Sequence, residues 1–225
     1  EDGFLIVNGK DKYLKNLKSK KNYELIKSTN LLKYYDVKEE LGNLSFKVMY
    51  EKKEYQVKMN ITGKHIIEDI VLAMITALLL DVDINDIITI LNSYKTEKGR
   101  MEIINKENYT IINDCYNASI ESFLGALKFI KKQRSKKILI IGDMLELGKK
   151  TIHYHKKLGK MLKKIKNSEI LLIGDNTKVI KGKNIHYFKT NNDIITYLKN
   201  QNLENNIIFV KGSRKMKLEE IIDNL

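Results

Sequence analysis

The chain has 225 residues, 43% apolar and 31% charged, with one cysteine, no proline and a net charge of +13. That length gives one large domain or two modest ones, and the composition excludes a disordered polymer. No apolar run approaches the ~20 residues that span a bilayer, and the opening Glu-Asp-Gly-Phe-Leu-Ile-Val lacks the pattern of a signal peptide. The lone Cys115 excludes an internal disulfide framework and fits a reducing cytosol, so a cytoplasmic location is expected. The lysines are scattered between apolar positions, with no zinc-ligand spacing and no basic-aromatic RNA signature. They read as a solvated surface, and neither a nucleic-acid nor a membrane partner is expected.

The first 60 residues read mainly as β structure. Phe4-Leu5-Ile6-Val7 is a short strand, and Lys10 to Lys21, carrying Leu14 and Leu17, predicts a helix. Strands follow at 23–27, 31–37, 44–50 and 54–59, of which Leu44-Ser45-Phe46-Lys47-Val48 alternates with period two. Lys52-Lys53 reads as the turn between the last two. From His65 to Leu80 the apolar positions Ile66, Ile67, Ile70, Val71, Met74 and Leu78 take helical spacing. A second helix runs from Ile84 to Leu91 with Asp83 as its N-cap. Asn92 to Gly99 is polar and aperiodic and reads as a linker.

After Gly99 strands and helices alternate. Strands are expected at 101–104, 109–113, 138–141, 170–173, 185–188 and 207–210. Helices are expected after the Ser119 cap, around Leu158, Met161, Leu162 and Ile165, over 192–200, and from Ser213 to Leu225. The unbroken aliphatics of Ile138–Ile141 suit a parallel strand buried on both faces, and the alternation predicts a doubly wound α/β sheet. Four strands end in groups suited to binding: Asp114-Cys115-Tyr116-Asn117, Gly142-Asp143, Gly174-Asp175 and Lys211-Gly212-Ser213-Arg214. Ligands of open α/β sheets bind outside the carboxyl ends of the strands. Any one of them alone reads better as a tight turn with a helix cap, and the four together point to a ligand-binding edge. There is no phosphate loop and no nucleophile elbow. His153 and His155, two apart on a helix, diverge and make poor paired metal ligands. His186 reads as structural.

Gly99-Arg100-Met101-Glu102, Ile112-Asn113-Asp114-Cys115-Tyr116-Asn117-Ala118, Gly142-Asp143-Met144-Leu145-Glu146-Leu147-Gly148, His155 with Gly159, and Lys211-Gly212-Ser213-Arg214 resemble, in order and spacing, the motifs of the Mur ligase family. Upstream, Val7-Asn8-Gly9-Lys10-Asp11 and Gly63-Lys64-His65 are similar to two further motifs. The resemblance implies an α/β fold in which a Rossmann-like, mainly parallel sheet domain (residues 99–225) follows the C-terminal part of an α/β ATPase domain (residues 1–98). It implies ATP-dependent addition of D-alanyl-D-alanine to a UDP-N-acetylmuramoyl-tripeptide through an acyl phosphate. His65, Arg100 and Asp114 match nucleotide-facing positions, Asp114 at the ribose. Asn117, Asp143, Ser213 and Arg214 match positions near the incoming dipeptide. Glu146 is a weaker addition to that set. Arg100 has an alternative role in an ion pair that fixes the linker, Asp114 in capping its turn, and Arg214 in pairing with Glu219 or Asp143.

The phosphate loop and the Mg2+ ligands of the family are expected upstream of Glu1. Two departures stand out: family asparagines become Ile66 and Asp69, and the first of them helps to hold adenine. A sister amide ligase, a basic binding module and a degenerate ligase are the competing readings. The Gly-Asp-Met-Leu-Glu-Leu-Gly run argues against the first. Residues 1–225 alone are expected to show no ATPase or ligase activity, which a coupled assay of ADP release checks.

Overall fold

The structure, a computed structural model, describes residues 3–19 and 23–225 and divides into two compact units, Glu1–Lys95 and Thr96–Leu225.

In the first unit β1 (Gly3–Val7) pairs in parallel with β2 (Tyr23–Lys27), and a single helical turn, α1 (Ser28–Leu31), leads into an antiparallel sheet. That sheet runs β3 (Lys33–Glu40), β4 (Asn43–Tyr50), β5 (Lys53–Met59). The period-two alternation of β4 has its physical basis here: Leu44, Phe46 and Val48 are buried and pair with Met59, Val57 and Tyr55. Helices α2 (Ile67–Leu78) and α3 (Ile84–Ser93) follow, and Ile67, Val71, Met74, Ile75, Ile84 and Ile87 join this core. Asp83 caps α3 by accepting from the Asn85 N–H at 2.8 Å.

Three expectations in this unit need correction. The helix over Lys10–Lys21 is a single 3-10 turn, Leu14–Asn16, and Lys20 and Lys21 lie outside the described residues. Asp11 starts the turn by accepting from the Tyr13 and Leu14 N–H groups, and Leu17 leaves it extended. Two leucines offer too little burial to offset the cost of nucleating a helix, and like-charged lysines at helical spacing repel. The hairpin turn is Glu51-Lys52, both at positive φ (47° and 64°), one residue earlier than the lysine pair suggested. The linker is also shorter than expected. Asn92 and Ser93 complete α3, and Asn92 Oδ1 accepts from the Lys58 N–H at 2.8 Å.

The second unit is one six-stranded sheet made of β6 (Glu102–Asn105), β7 (Thr110–Asn113), β8 (Lys137–Gly142), β9 (Ser168–Ile173), β10 (Ile185–Phe188) and β11 (Ile207–Lys211). The spatial order is β10-β9-β8-β11-β7-β6, parallel throughout except for β6 at the edge. The connecting helices are α4 (Ile120–Ile130), α5 (Thr151–Leu162), α6 (Asn191–Lys199) and α7 (Glu219–Asp223). Ile111, Ile138, Ile140, Leu171, Ile208 and Val210 form one core with Ile194 and Leu198 of α6 and Ile221 and Ile222 of α7. Their alternates Ile112, Leu139, Ile141, Leu172 and Phe209 are equally buried, as a sheet covered on both faces requires. Ser119 caps α4 in a reciprocal capping box with Ser122.

The last expected helix is broken. A 3-10 turn, Arg214–Met216, ends at Lys217, which adopts the left-handed conformation (φ 49°) before the short α7. That kink lets Leu218 pack against the ends of β8 and β11.

Two successive positive-φ residues define a type I′ hairpin turn, which Asn-Gly suits and Glu-Lys does not. Replacing Glu51-Lys52 by Asn-Gly is expected to stabilise the first unit by about 1 kcal/mol, raising its melting midpoint by roughly 4–8 °C in a circular-dichroism scan.

Candidate functional site

The strand order explains how four separated segments meet. β9, β8, β11 and β7 are consecutive neighbours and parallel, so their carboxyl ends, and the loops that leave them, share one edge of the second unit.

At the centre of that edge the β8 and β11 loops touch. A Cβ on Gly212 would lie 3.0 Å from the Gly142 Cα and 2.7 Å from Leu218 Cδ1, so glycine is needed for the close approach. Two hydrogen bonds then stitch the loops: the Ser213 N–H donates to the Asp143 carbonyl at 3.0 Å, and the Leu145 N–H to Ser213 Oγ at 2.9 Å. Ser213 opens the segment expected as the last helix but does not cap it. Its hydroxyl is instead committed to Leu145, and its side chain makes no cap hydrogen bond.

Asp143 is buried and faces the β9 loop. One carboxylate oxygen accepts from the Thr177 N–H at 2.8 Å, the other from the Asn176 N–H and side-chain amide at 3.1 and 2.9 Å. Gly174 (φ 112°) makes room, since a Cβ there would come within 2.4 Å of Asp143 Cγ. His155 of α5 is wholly buried under the β8 loop. Its Nε2 accepts from the Met144 N–H at 3.1 Å, so its Nδ1 carries the proton and donates to the Thr151 carbonyl at 2.8 Å. This geometry requires the neutral Nδ1–H tautomer.

On the other side of β11, Lys211 runs under the β7 loop. Its side chain is 2% exposed, and Nζ sits 2.6 Å from Asp114 Oδ2, itself 14% exposed. The same ammonium donates to the Asn117 carbonyl at 3.1 Å and lies over the Phe123 ring. Asp114 Oδ1 accepts from the Met101 N–H at 3.2 Å, and the Tyr116 N–H donates to the Gly99 carbonyl at 3.0 Å. The guanidinium of Arg100 stacks 4.2 Å over Tyr116 and lies 3.4 Å from Glu97. Thus Arg100 has an ion-pair partner and an aromatic platform, both on the second unit.

Exposed members of the edge include Asn117, whose Oδ1 accepts from the Ala118 N–H, and Arg214, 64% exposed and 3.2 Å from Glu219. Glu146 is exposed at positive φ (63°). Asp175, read with Gly174 as part of the edge, is exposed and paired with Lys178 at 2.6 Å. Cys115 lies beneath, its thiol pushed up to about 11 by burial, with nearby Glu219 adding to the effect.

His65 lies in the first unit, exposed in a 3-10 turn (Lys64–Ile66) with its ring against Gly63. There Glu68, one turn on, accepts from Lys10 at 2.8 Å and from the Tyr34 hydroxyl at 2.6 Å. The segment after β1 and the start of α2, which carry the two upstream motifs, are therefore tied together. His186, at the opposite edge of the second sheet, lies 3.1 Å from Glu169, which also accepts from Tyr197.

In the sequence Lys211 stands out only as the start of the Lys-Gly-Ser-Arg strand end, not as the partner of Asp114. Asn176 and Thr177 were missed altogether. The available signal was a lysine at the end of an aliphatic strand, where a buried charge demands a partner. Among the described residues no three His, Cys, Asp or Glu side chains converge as metal ligands.

Residues 99–214 match the family described as Mur ligase, glutamate ligase domain. The chain is 32% identical over 221 residues to the UDP-N-acetylmuramoyl-tripeptide–D-alanyl-D-alanine ligase of Buchnera aphidicola, covering 95% of this chain and 48% of that one. It is 27% identical to the enzyme of the same name from Bacillus subtilis, covering 100% and 51%. In fold it is similar to MurF from Acinetobacter baumannii, with TM-score 0.87 and 22% identity over 99% of this chain and 51% of that one. MurF ligase from Thermotoga maritima in complex with ADP gives TM-score 0.81 and 21% identity, over 98% and 52%. The chain thus spans about half the length of the curated relatives it matches.

Two tests follow from this geometry. Replacing His155 by Phe strands the Met144 N–H and is expected to cost about 1–3 kcal/mol in denaturant unfolding. His155→Gln, which keeps an acceptor for that N–H, is expected to cost less. With the Cys115 thiol at about 11, about one molecule in a thousand carries a thiolate at pH 8. Ellman's reagent is expected to leave the folded protein unmodified and to titrate one thiol in guanidinium.

Proposed function

The chain belongs to the Mur ligase family, and from that premise we propose that it forms part of an ATP-dependent ligase that adds D-alanyl-D-alanine to UDP-N-acetylmuramoyl-tripeptide. The observation that carries this reading is the shared edge. The Gly142–Gly148 and Lys211–Arg214 motifs, far apart in sequence, meet there through the Gly142–Gly212 contact and the Ser213 bonds. The names of the relatives from Buchnera aphidicola and Bacillus subtilis support the choice of dipeptide.

In the reaction ATP transfers its terminal phosphoryl group to the tripeptide carboxylate, giving ADP and an acyl phosphate. The dipeptide amine attacks the acyl carbon, and phosphate leaves as the amide forms. Such chemistry depends on holding two anionic reactants in register. Asp114 is assigned to the ribose hydroxyls and Arg100, with Tyr116 beneath it, to the nucleotide, with His65 as a further nucleotide-facing residue. Arg214 and Asn117, both exposed at the edge, are assigned to the dipeptide. Ser213 and Asp143 serve the same end by fixing the loops between them. Magnesium accompanies such phosphoryl transfer. Among the described residues no three His, Cys, Asp or Glu side chains converge as ligands for it. A cytoplasmic location is part of the proposal, and among the described residues no helix is long and apolar enough to cross a membrane.

The full-length protein, given ATP, the UDP-linked tripeptide and D-alanyl-D-alanine, is expected to release ADP and phosphate only when all three are present. Release without the dipeptide, or none with it, would overturn the assignment. Arg214→Lys keeps the charge and loses the paired donors a carboxylate prefers. It is expected to raise the dipeptide KM by the equivalent of about 1–3 kcal/mol and leave the ATP KM nearly unchanged. Because the Arg214 side of its pair with Glu219 is 64% exposed, weakening that pair is expected to shift the melting temperature little.

A further inference from the structure

Lys211 is the one charged side chain of the edge that is buried almost completely yet lies between two of the assigned contacts. Its ammonium bonds the Asp114 carboxylate at 2.6 Å and the Asn117 carbonyl at 3.1 Å, and at 2% exposure it cannot itself reach a bound ligand. Buried ion pairs contribute little stability over an apolar replacement of the same volume. A stabilising role is therefore a poor account of this one. What the pair does supply is orientation. A carboxylate offers about four acceptor directions. Lys211 takes one on Oδ2 and the Met101 N–H takes one on Oδ1, which fixes the plane of the group from two sides.

We infer that Lys211 is a positioning residue that sets the Asp114 carboxylate for the two ribose hydroxyls of the nucleotide, and holds the Asn117 backbone beside it. This rests on the reading of Asp114 as the ribose contact. In the absence of Lys211 the Asp114 carboxyl loses its fixed plane, so it no longer distinguishes a nucleotide with the hydroxyls from one without.

The test is a double-mutant cycle in the full-length protein, with ATP and 2′,3′-dideoxy-ATP as alternative substrates. Lys211→Met is expected to raise the ATP KM by about tenfold, the equivalent of one charge-assisted hydrogen bond, with kcat within about twofold. The preference for ATP over the dideoxy nucleotide is expected to fall nearly to unity, as in Asp114→Asn. In the Asp114→Asn background, adding Lys211→Met is expected to change that preference no further, because Lys211 acts through Asp114. The double variant removes both charges together and so remains informative if Lys211→Met alone does not fold. If Lys211→Met weakens both nucleotides equally and the ribose preference persists, while Asp114→Asn abolishes it, the inference is overturned and the ribose reading stands. A further loss of preference on adding Lys211→Met to Asp114→Asn also overturns it. If Asp114→Asn keeps the preference, the ribose reading itself fails and takes the inference with it.

Discussion

The contact between Gly142 and Gly212 is the constraint on which the second unit's edge depends. Two parallel strands lie about 4.8 Å apart, and side chains on the residues just past them would normally force the loops to splay. Here a Cβ on either glycine would meet the other's backbone or Leu218 within 3.4 Å. With both reduced to hydrogen, the loops leave side by side, and Leu218 closes over them. The left-handed Lys217 is the local strain that lets Leu218 do so. Neither loop can move without disturbing the other, and the Ser213 hydroxyl and the Asp143 carbonyl make that coupling directional.

From this centre the polar groups divide by burial. Asp143, His155, Ser213 and Lys211 are each buried, and each has its polar atoms engaged by loop backbone or by an opposite charge. Burying such groups is unfavourable unless every one finds a partner, so together they specify a single arrangement of four loops. Asn117, Arg100 and Arg214 stand outside that network with much of their surface in solvent. The buried set orders the frame, and the exposed set is free to meet something else. This division separates scaffold from contact more sharply than residue type does, since a serine and an aspartate fall on one side and two arginines on the other.

How much of this could be read in the sequence depended on the range of the interaction involved. Ile138–Ile141, the Ser119 cap and the Asp83 cap rest on neighbours within a few residues, and the structure has them as expected. The four strand ends were legible as one group because aliphatic runs followed by Gly-Asp or Lys-Gly-Ser are local patterns, and the strand order brings them to one edge. The failures lie where distant contacts override local preference. Lys10 to Lys21 has a helical pattern but too little apolar surface to hold it. Lys217 takes a conformation disfavoured for lysine because Leu218 must reach two glycines. The Lys211–Asp114 pair joins residues 97 apart, and no periodicity announces it.

The same distinction bears on the net charge of +13. A lysine-rich chain invites a search for a polyanion, and a simple count treats every ammonium as a candidate. Lys211 is inside, neutralised by Asp114, and Lys137 is buried with its ammonium given to the Ser135 and Lys166 carbonyls. Lys10 is bound to Glu68 and stacked on Tyr34. These three are structural cations, each fixed by a specific acceptor, and a salt-screened field does not describe them. What the count misses, the geometry supplies: Arg214, exposed and 3.2 Å from Glu219, stands only three residues after the buried and neutralised Lys211.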